Sequence, residues 1–462
     1  MMFSFSELAD IVGDESSSEV DKAEIHGFCI DSRKITSGDC FIAIKGEQFD
    51  ANRFAEEALS KGAAGAVLDN PEIARILREK YDNILLAQNS VEALGQIASA
   101  WRKKINAKVI AVTGSAGKTT TREMLKTILS KYRRTSGAGK SFNNQIGLPI
   151  SILNARKDDE FLVLEAGTNA AGEIEKLSKI ARPDIAVITC VLHAHIEGFG
   201  SLENVAQEKA SIIKGLKPQG TLICKNQKEL KDALTASSVN IQYFLLKSRP
   251  AGGENDIESF EINNDSSKIT ICGTEFQIPL PGRGNLENFL AARLAAIRCG
   301  LSDEQIKEAS RGLKTEGGRL EIIRCGQAAV INDCYNSNPG SLANAAEVLA
   351  SQNQEVKIAA AGDMKELGES SEEFHIQAGR KLREAGADKL FAFGVFAGSI
   401  VEGFGAEAGM AFNDYEALES SLLEELKGNE ALLIKGSRSM RLERLIEPLI
   451  SRIENINSYS KG

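Results

Sequence analysis

The segment Lys108 to Tyr132, KVIAVTGSAGKTTTREMLKTILSKY, limits the folds open to this chain more than any other stretch. Val109 to Val112 are apolar and mostly β-branched, whereas Met124, Leu125, Ile128, Leu129 and Tyr132 recur at helical spacing, which predicts a buried strand turning into an amphipathic helix. Thr113 to Thr119 occupy the turn between them. Gly114 and Gly117 let backbone N–H groups curl round an anion, and the helix behind directs its positive end at it. In such a loop Lys118 reaches terminal phosphates and the Thr119 hydroxyl holds Mg²⁺. The full spacing G-x-x-x-x-G-K-[ST] is not met, because Val112 stands where its first glycine belongs; this is the shorter T-G-S-x-G-K-T form. The plainer alternative is a Gly/Ser turn with an exposed lysine, and strand, loop, lysine and helix together weigh against it.

With 462 residues the chain has room for about three domains. A net charge of -9 argues against a protein whose business is binding a nucleic-acid backbone. The 8 cysteines are scattered, with no C-x-x-C pair or zinc-like spacing, and read as small buried residues in a reducing compartment. The opening MMFSFSELADIVGDESS has no basic region followed by an apolar core, and no apolar run approaches the roughly 18 residues of a membrane span. The expectation is a cytoplasmic protein without a membrane segment.

Residues 1–88 read as a first α/β unit: strands His26 to Ile30, Cys40 to Ile44, Ala66 to Asp69 and Ile84 to Ala87, with a helix over Asn52 to Gly62. Ser32 and Arg33 sit in a strand-end loop that suits a phosphate-bearing ligand, although charged loops are mostly solvated. Ser90 to Lys104 is a linking helix into a second unit, 89–313, where strand and helix alternate as in a parallel sheet. Two further strands of this unit end on chemistry. Phe161 to Leu164 runs into Glu165, placed to hold a metal that bridges phosphates, and Ile185 to Val191 ends before His193-Ala194-His195. Thr135 to Ile150, with Asn143 and Asn144, and Thr168 to Ile174 read as polar loops at the same end of the sheet. Lys209 falls in a helix spanning Asn204 to Leu216, where solvent exposure is the ordinary expectation. Ser259 to Ile262, Lys268 to Cys272 and Glu275 to Pro279 look like an appended hairpin, followed by a helix over Leu286 to Cys299. The third unit, 314–462, alternates again, as a doubly wound, Rossmann-like domain with strands Val330 to Asp333, Lys357 to Ala360, Lys389 to Phe393 and Ala431 to Ile434. It lacks the G-x-G-x-x-G fingerprint of a dinucleotide site.

Taken together, these motifs resemble the Mur ligases, the ATP-dependent enzymes that add amino acids to the peptidoglycan precursor, and among them the branch that adds D-alanyl-D-alanine. The resemblance runs through all three units. It rests on DSR at 31–33, TGSAGKTT at 113–120, Asn143-Asn144 with IGLP, EAGTN and GEI within 165–174, and ITCVLHAHIEGFGS at 188–201. It continues in Gly318-Arg319, DCYNSNPGS at 333–341, GDMKELGE at 362–369 and KGSRSMRLE at 435–443. The fold it implies is a central ATPase domain with a P-loop-type parallel sheet, between a small α/β N-terminal domain and a Rossmann-like C-terminal one. The reaction it implies makes an acyl phosphate from ATP and the carboxylate of UDP-MurNAc-tripeptide, which the amine of D-Ala-D-Ala then attacks.

Carried over onto this sequence, ATP falls to Gly114, Ser115, Ala116, Gly117, Lys118, Thr119, Thr120, Asn288, Arg319 and Asp333. Mg²⁺ falls to Thr119, Glu165, His195 and Lys209, the last as a carbamate; Lys118, Glu165, His195 and Lys209 form the catalytic set. The substrates fall to Ser32, Arg33, Asn143, Asn144, Thr168, Asn336, Asn338, Lys435 and Arg438, and the expected assembly is a monomer. Ala51-Asn52, Ala170, Ser211 and Gly284 depart from the usual pattern. A Mur-type ligase with a different amine, or a nucleotide-dependent switch, is the alternative; the absence of an N-K-x-D motif weighs against the switch.

Overall fold

The structure, a computed structural model, describes residues 1–14, 23–46, 49–139, 142–194, 196–248 and 256–459. Near the N-terminus four short strands, β1 (Gly27–Cys29), β2 (Asp39–Ile42), β3 (Gly65–Leu68) and β4 (Ile84–Leu86), pair in parallel in that order. Asn89 caps the linking helix α1 (Ser90–Lys104) by accepting hydrogen bonds from the amides of Val91 and Glu92. Trp101 of α1 packs on Phe3 at 5.8 Å between ring centroids and donates its indole N–H to the Ala155 carbonyl at 3.1 Å. One apolar cluster therefore runs from Phe3, Phe5 and Leu8 through Trp101 to Val109 and Leu162. It fastens the first unit to the second.

The central sheet contains β5 (Lys108–Thr113), β6 (Thr135–Gly137), β7 (Phe161–Glu165), β8 (Ile185–Ile188), β9 (Thr221–Lys225) and β10 (Asn240–Phe244). Its order is β10-β9-β8-β5-β7-β6, with every pair parallel. The chain leaves β5 through α2 (Lys118–Ser130) toward β6 and β7 on one side, and later fills the other side with β8 to β10. The carboxyl end of β5 is thus a topological switch point, where open parallel sheets form a crevice. Strands β5 and β7 are buried along nearly their whole length, as parallel strands covered on both faces must be.

Several expectations are corrected here. Thr135 to Ile150 is not only loop: it contributes edge strand β6 and a helix, Gly147–Leu153, all of whose residues are buried. The strand predicted over Ile185 to Val191 ends at Ile188, and the helix predicted over Asn204 to Leu216 is α4 (Leu202–Ala210) followed by one 3₁₀ segment, once α3 (Glu173–Ala181) has been counted. The appended hairpin is a three-stranded antiparallel sheet, β11 (Ile257–Ile262), β12 (Ser267–Ile271) and β13 (Thr274–Ile278). It shares an apolar cluster with α2 and with α5 (Arg283–Arg298). Of the cysteines, Cys272 at its β12 turn is exposed rather than buried.

The last sheet is ordered β14-β15-β19-β16-β17-β18, from β14 (Glu321–Cys325), β15 (Ala328–Asp333), β16 (Lys357–Gly362), β17 (Lys389–Phe393), β18 (Gly409–Phe412) and β19 (Ala431–Lys435). It is parallel except for β14, an antiparallel edge strand that the sequence analysis does not single out. Apolar clusters cover both of its faces. Its switch point, where β15 meets β19, faces the crevice of the central sheet, and α6 (Pro339–Ala350) begins there behind Asn338.

Candidate active site

A cavity of about 690 Å³ lies between the central and C-terminal sheets. Its central wall is the loop from Ser115 to Thr120, with Glu165, Asn143 and Thr168. Gly114 and Gly117 take φ of 144° and 76°, and a Cβ on either would stand 1.9 Å from Thr189 Oγ1 or 2.1 Å from Asn288 Oδ1. Both positions require glycine for conformation and for space. The Ser115 amide donates to the Cys190 carbonyl at 2.9 Å, and the Ser115 hydroxyl accepts from the Leu192 amide at 3.0 Å. The loop is therefore pinned to the chain beyond β8 before any ligand arrives.

Lys118 donates to the Gly114 carbonyl at 2.8 Å. Its ammonium is held below the usual lysine range by burial and by Arg319, with Glu165 opposing. Glu165, 2% exposed, accepts from the Thr119 hydroxyl at 2.8 Å on one oxygen and from the Asn143 amide at 2.8 Å on the other. The Arg122 guanidinium lies 3.3 Å from the first of these oxygens. A hydroxyl and a carboxylate converging beside a buried lysine form the oxygen-rich set that Mg²⁺ prefers.

Lys209 is 1% exposed, which overturns the expectation of a solvated helical lysine, and its Nζ has no hydrogen-bond partner among the described residues. Burial and the charge of Lys118 bring its pKa down to about 7, against the pull of Glu208, Cys190 and Glu173. An amine in that state is substantially neutral near pH 7, the condition under which it can take up carbon dioxide. His195 lies outside the described residues. Among the described residues no group of three His, Cys, Asp or Glu side chains is arranged to hold a metal. The metal set implied by the resemblance contains only one such described residue, Glu165, and completes itself only if Lys209 becomes a carbamate.

The opposite wall comes from the C-terminal sheet. Asp333 closes β15 and bonds the Lys435 ammonium at 2.5 Å and the Leu320 amide at 3.1 Å; burial raises its carboxyl, with Lys435 opposing. Lys435 also reaches the Asn336 carbonyl at 3.0 Å. Asn338 caps α6 by accepting from the Ser341 amide. Arg319 lies 3.9 Å above the Tyr335 ring, and its buried Nε has no hydrogen-bond partner among the described residues. Asn288, from α5, completes the cavity on the side of Gly117.

Of the expected residues, Ser115 to Thr120, Asn143, Asn144, Glu165, Thr168, Asn288, Arg319, Asp333, Asn336, Asn338 and Lys435 line this one cavity. Gly114, Lys209, Ser32, Arg33 and Arg438 do not. Ser32 donates to Glu57, Arg33 forks onto Asp31 through bonds of 2.8 and 2.9 Å, and Arg438 pairs with Glu443 at 2.9 Å.

Comparison with known proteins bears on this arrangement directly. The Mur ligase family, catalytic domain, matches residues 24–102; the Mur ligase middle domain matches 112–296; and the Mur ligase, glutamate ligase domain, matches 318–438. The UDP-N-acetylmuramoyl-tripeptide--D-alanyl-D-alanine ligase of Bacillus subtilis is 33% identical over 457 residues, covering 96% of this chain and 97% of that protein. The chain belongs to the Mur ligase family.

The ligase of the same name from Escherichia coli is 33% identical over 460 residues, covering 96% of this Mur ligase and 97% of its own length. MurF from Acinetobacter baumannii superposes with a TM-score of 0.87 at 32% identity over 97% of this chain and 99% of that one. MurF ligase from Thermotoga maritima, solved in complex with ADP, superposes with a TM-score of 0.81 at 29% identity over 94% and 98%. The mixed α/β architecture of three domains is that of these Mur ligases, and the enzyme is an ATP-using ligase.

Three positions of this Mur ligase that the sequence analysis does not single out line or support the site. Glu208 accepts from the amides of Gly172 and Ile174 at 2.8 Å each, so it closes the N-terminus of α3 and shapes the Thr168 loop. Asn344 of α6 accepts from the Gly284 amide at 2.8 Å, and a Cβ at Gly284 would stand 2.9 Å from its Nδ2. The missing side chain at Gly284 is thus space taken by the C-terminal domain. Arg122 is the third: one turn beyond Lys118 in helix α2, its position carries a sequence signal only as a charged residue on an otherwise apolar helix face.

Proposed function

We propose that this enzyme joins D-Ala-D-Ala to UDP-MurNAc-tripeptide with ATP, the activity in the names of the relatives that match it over almost its whole length. The observation that carries the reading is the single cavity lined from one side by Lys118, Thr119 and Glu165 and from the other by Arg319, Asp333 and Lys435. A phosphate-loop wall holds the triphosphate. A second wall, from the C-terminal sheet, brings cations to it, and the reaction needs no side-chain nucleophile.

The carboxylate of the tripeptide attacks the γ-phosphorus, the bond to ADP breaks, and an acyl phosphate forms. The amine of D-Ala-D-Ala then attacks the carbonyl carbon, loses its proton, and phosphate leaves with one former carboxylate oxygen. Lys118, held by the Gly114 carbonyl, neutralises charge on the terminal phosphate; Arg319 does the same from the C-terminal domain. Asn288 meets the adenine end, and Asp333 the ribose. Asn143, Asn144 and Thr168 face the tripeptide, while Asn336, Asn338, Lys435 and Arg438 shape the dipeptide side. Ser32 and Arg33 hold the uridine diphosphate.

Thr119 and Glu165 would hold Mg²⁺, with His195 on a second metal ion and carbamylated Lys209 as a further metal ligand, and the metal would supply charge neutralisation between phosphates when bound. The orphaned, buried Lys209 amine supports that assignment. The domain limits 1–88, 89–313 and 314–462 belong to the same proposal, as do a cytoplasmic location and action as a monomer.

The test is phosphate release from Mg·ATP by purified enzyme with UDP-MurNAc-tripeptide, with and without D-Ala-D-Ala. Release that depends on the dipeptide and yields the pentapeptide is expected, with Lys118→Ala slower by ~10²- to 10³-fold. Turnover only with a different amine would move the specificity elsewhere in the family.

A further inference from the structure

Arg122 is, with Arg293, the largest fully buried side chain among the described residues, and the proposed chemistry leaves it unused. It sits on α2, three residues beyond Thr119. Its Nη1 lies 3.3 Å from the Glu165 oxygen that Thr119 also bonds, and donates to the Gly139 carbonyl at 3.2 Å. Its Nη2 lies 2.7 Å from Glu123 and 3.4 Å from Glu316. One planar cation thus touches the carboxylate at the end of β7 and the segment leading into the C-terminal domain.

Glu316 begins the turn that carries Arg319. Its carbonyl accepts from the Arg319 amide at 3.1 Å, and Gly318 within the turn takes φ of 78°. Beyond the turn, Leu320 is held at φ of 52°, an unfavourable conformation for leucine, and donates its amide to Asp333. The Tyr335 amide bonds the Gly318 carbonyl at 3.0 Å. The turn is therefore gripped by β15 and the loop after it on one side, and on the other by Arg122 through Glu316.

We propose that Arg122 is a positioning residue that ties the Glu165 carboxylate to the Arg319 turn, so that Arg319 is presented to the nucleotide in register with the phosphate loop. The inference rests on the proposed function for the identity of the ligand and adds a residue to it. A guanidinium suits the task because its fixed fork can hold two partners at once; an ammonium is a point charge. Glu316 acts only through where it puts Arg319.

The test uses the full-length enzyme and the variants Glu316→Gln, Arg319→Ala, their double, and Arg122→Lys. Glu316 is partly exposed and glutamine is its isostere, so that variant keeps the fold even where Arg122→Lys does not. Mg·ATP affinity is measured by calorimetry, and kcat with KM for each substrate is measured alongside. Glu316→Gln is expected to weaken Mg·ATP about five- to tenfold and lower kcat, with KM for the UDP-substrate unchanged. In the Arg319→Ala background it should change nothing further, and Arg122→Lys should lose more than Glu316→Gln. Wild-type affinity in Glu316→Gln, or losses that add in the double variant, would overturn the inference. Because the affinity readout needs no dipeptide, a failure of D-Ala-D-Ala turnover counts against the proposed substrate and not against Arg122.

Discussion

The phosphate loop shows how far single residues can be read from sequence. Gly114, Gly117, Lys118 and Thr119 are legible because their local order already specifies strand, turn and helix. Lys209 is not: nothing in NVAQEKASIIKGL marks its middle lysine as buried, since burial here comes from α3 and the loop held by Glu208, remote in sequence. Its lowered pKa, about 7, carries a testable sign. Between about pH 7 and the unperturbed value of 10.5 the unfolded chain binds the proton and the folded chain does not, so this group makes stability rise with pH across that window. Below pH 7 both states are protonated and the cost of burying the ammonium is constant. Lys209→Met should therefore flatten the rise in denaturation midpoint above pH 7 while abolishing ligase activity. A wild-type slope in the variant would show that the amine is not the source. If the carbamate forms, the activity of the unmodified enzyme should also fall severalfold in carbon-dioxide-free buffer at fixed pH and return with bicarbonate.

At the scale of elements, strands with continuous apolar runs and the capped helix α1 follow from pattern and propensity, and the linking helix spans the residues the sequence predicts. What escapes prediction are elements defined by partners. Strand β6 is only three residues long and exists because β7 offers it an edge; β14 turns antiparallel because a tight turn at Gly326 returns it onto β15. The junction of α2 with its loop gives a sharp expectation. Gly117→Ala places a Cβ against Asn288 at a left-handed φ, whereas Gly172→Ala has a similar φ of 83° and open space. Both pay the backbone cost of about 1–2 kcal/mol, and only the first also displaces the nucleotide wall. Calorimetry should show ADP affinity reduced at least tenfold in Gly117→Ala and within about twofold of wild type in Gly172→Ala. Equal losses in the two would assign the effect to backbone strain alone.

Across the whole molecule, the cavity exists only where two sheets face each other, and no single segment of sequence contains it. The motifs could be found one by one, but their convergence had to come from the paired switch points of the central and C-terminal sheets. Contacts across that boundary mix polar and apolar groups: Arg122 to Glu316, Gly284 to Asn344, the Glu197 amide to the Glu366 carbonyl at 3.2 Å, the Gln352 amide to the Asn264 carbonyl at 2.8 Å, and the His193 ring 5.1 Å from that of Phe374. Because the cavity is lined from both domains, the C-terminal domain is expected to swing onto the loop when both substrates bind. Solution scattering should give a smaller radius of gyration with an ATP analogue and the UDP-substrate together than with neither. Superimposable profiles would make the closure unnecessary. The central claim, that ATP activates the tripeptide carboxylate directly, is tested most directly by isotope transfer. With UDP-MurNAc-tripeptide labelled with ¹⁸O in its terminal carboxylate, one labelled oxygen should appear in the released phosphate for each dipeptide joined. Phosphate that carries no label while product accumulates would contradict an acyl phosphate in this cavity.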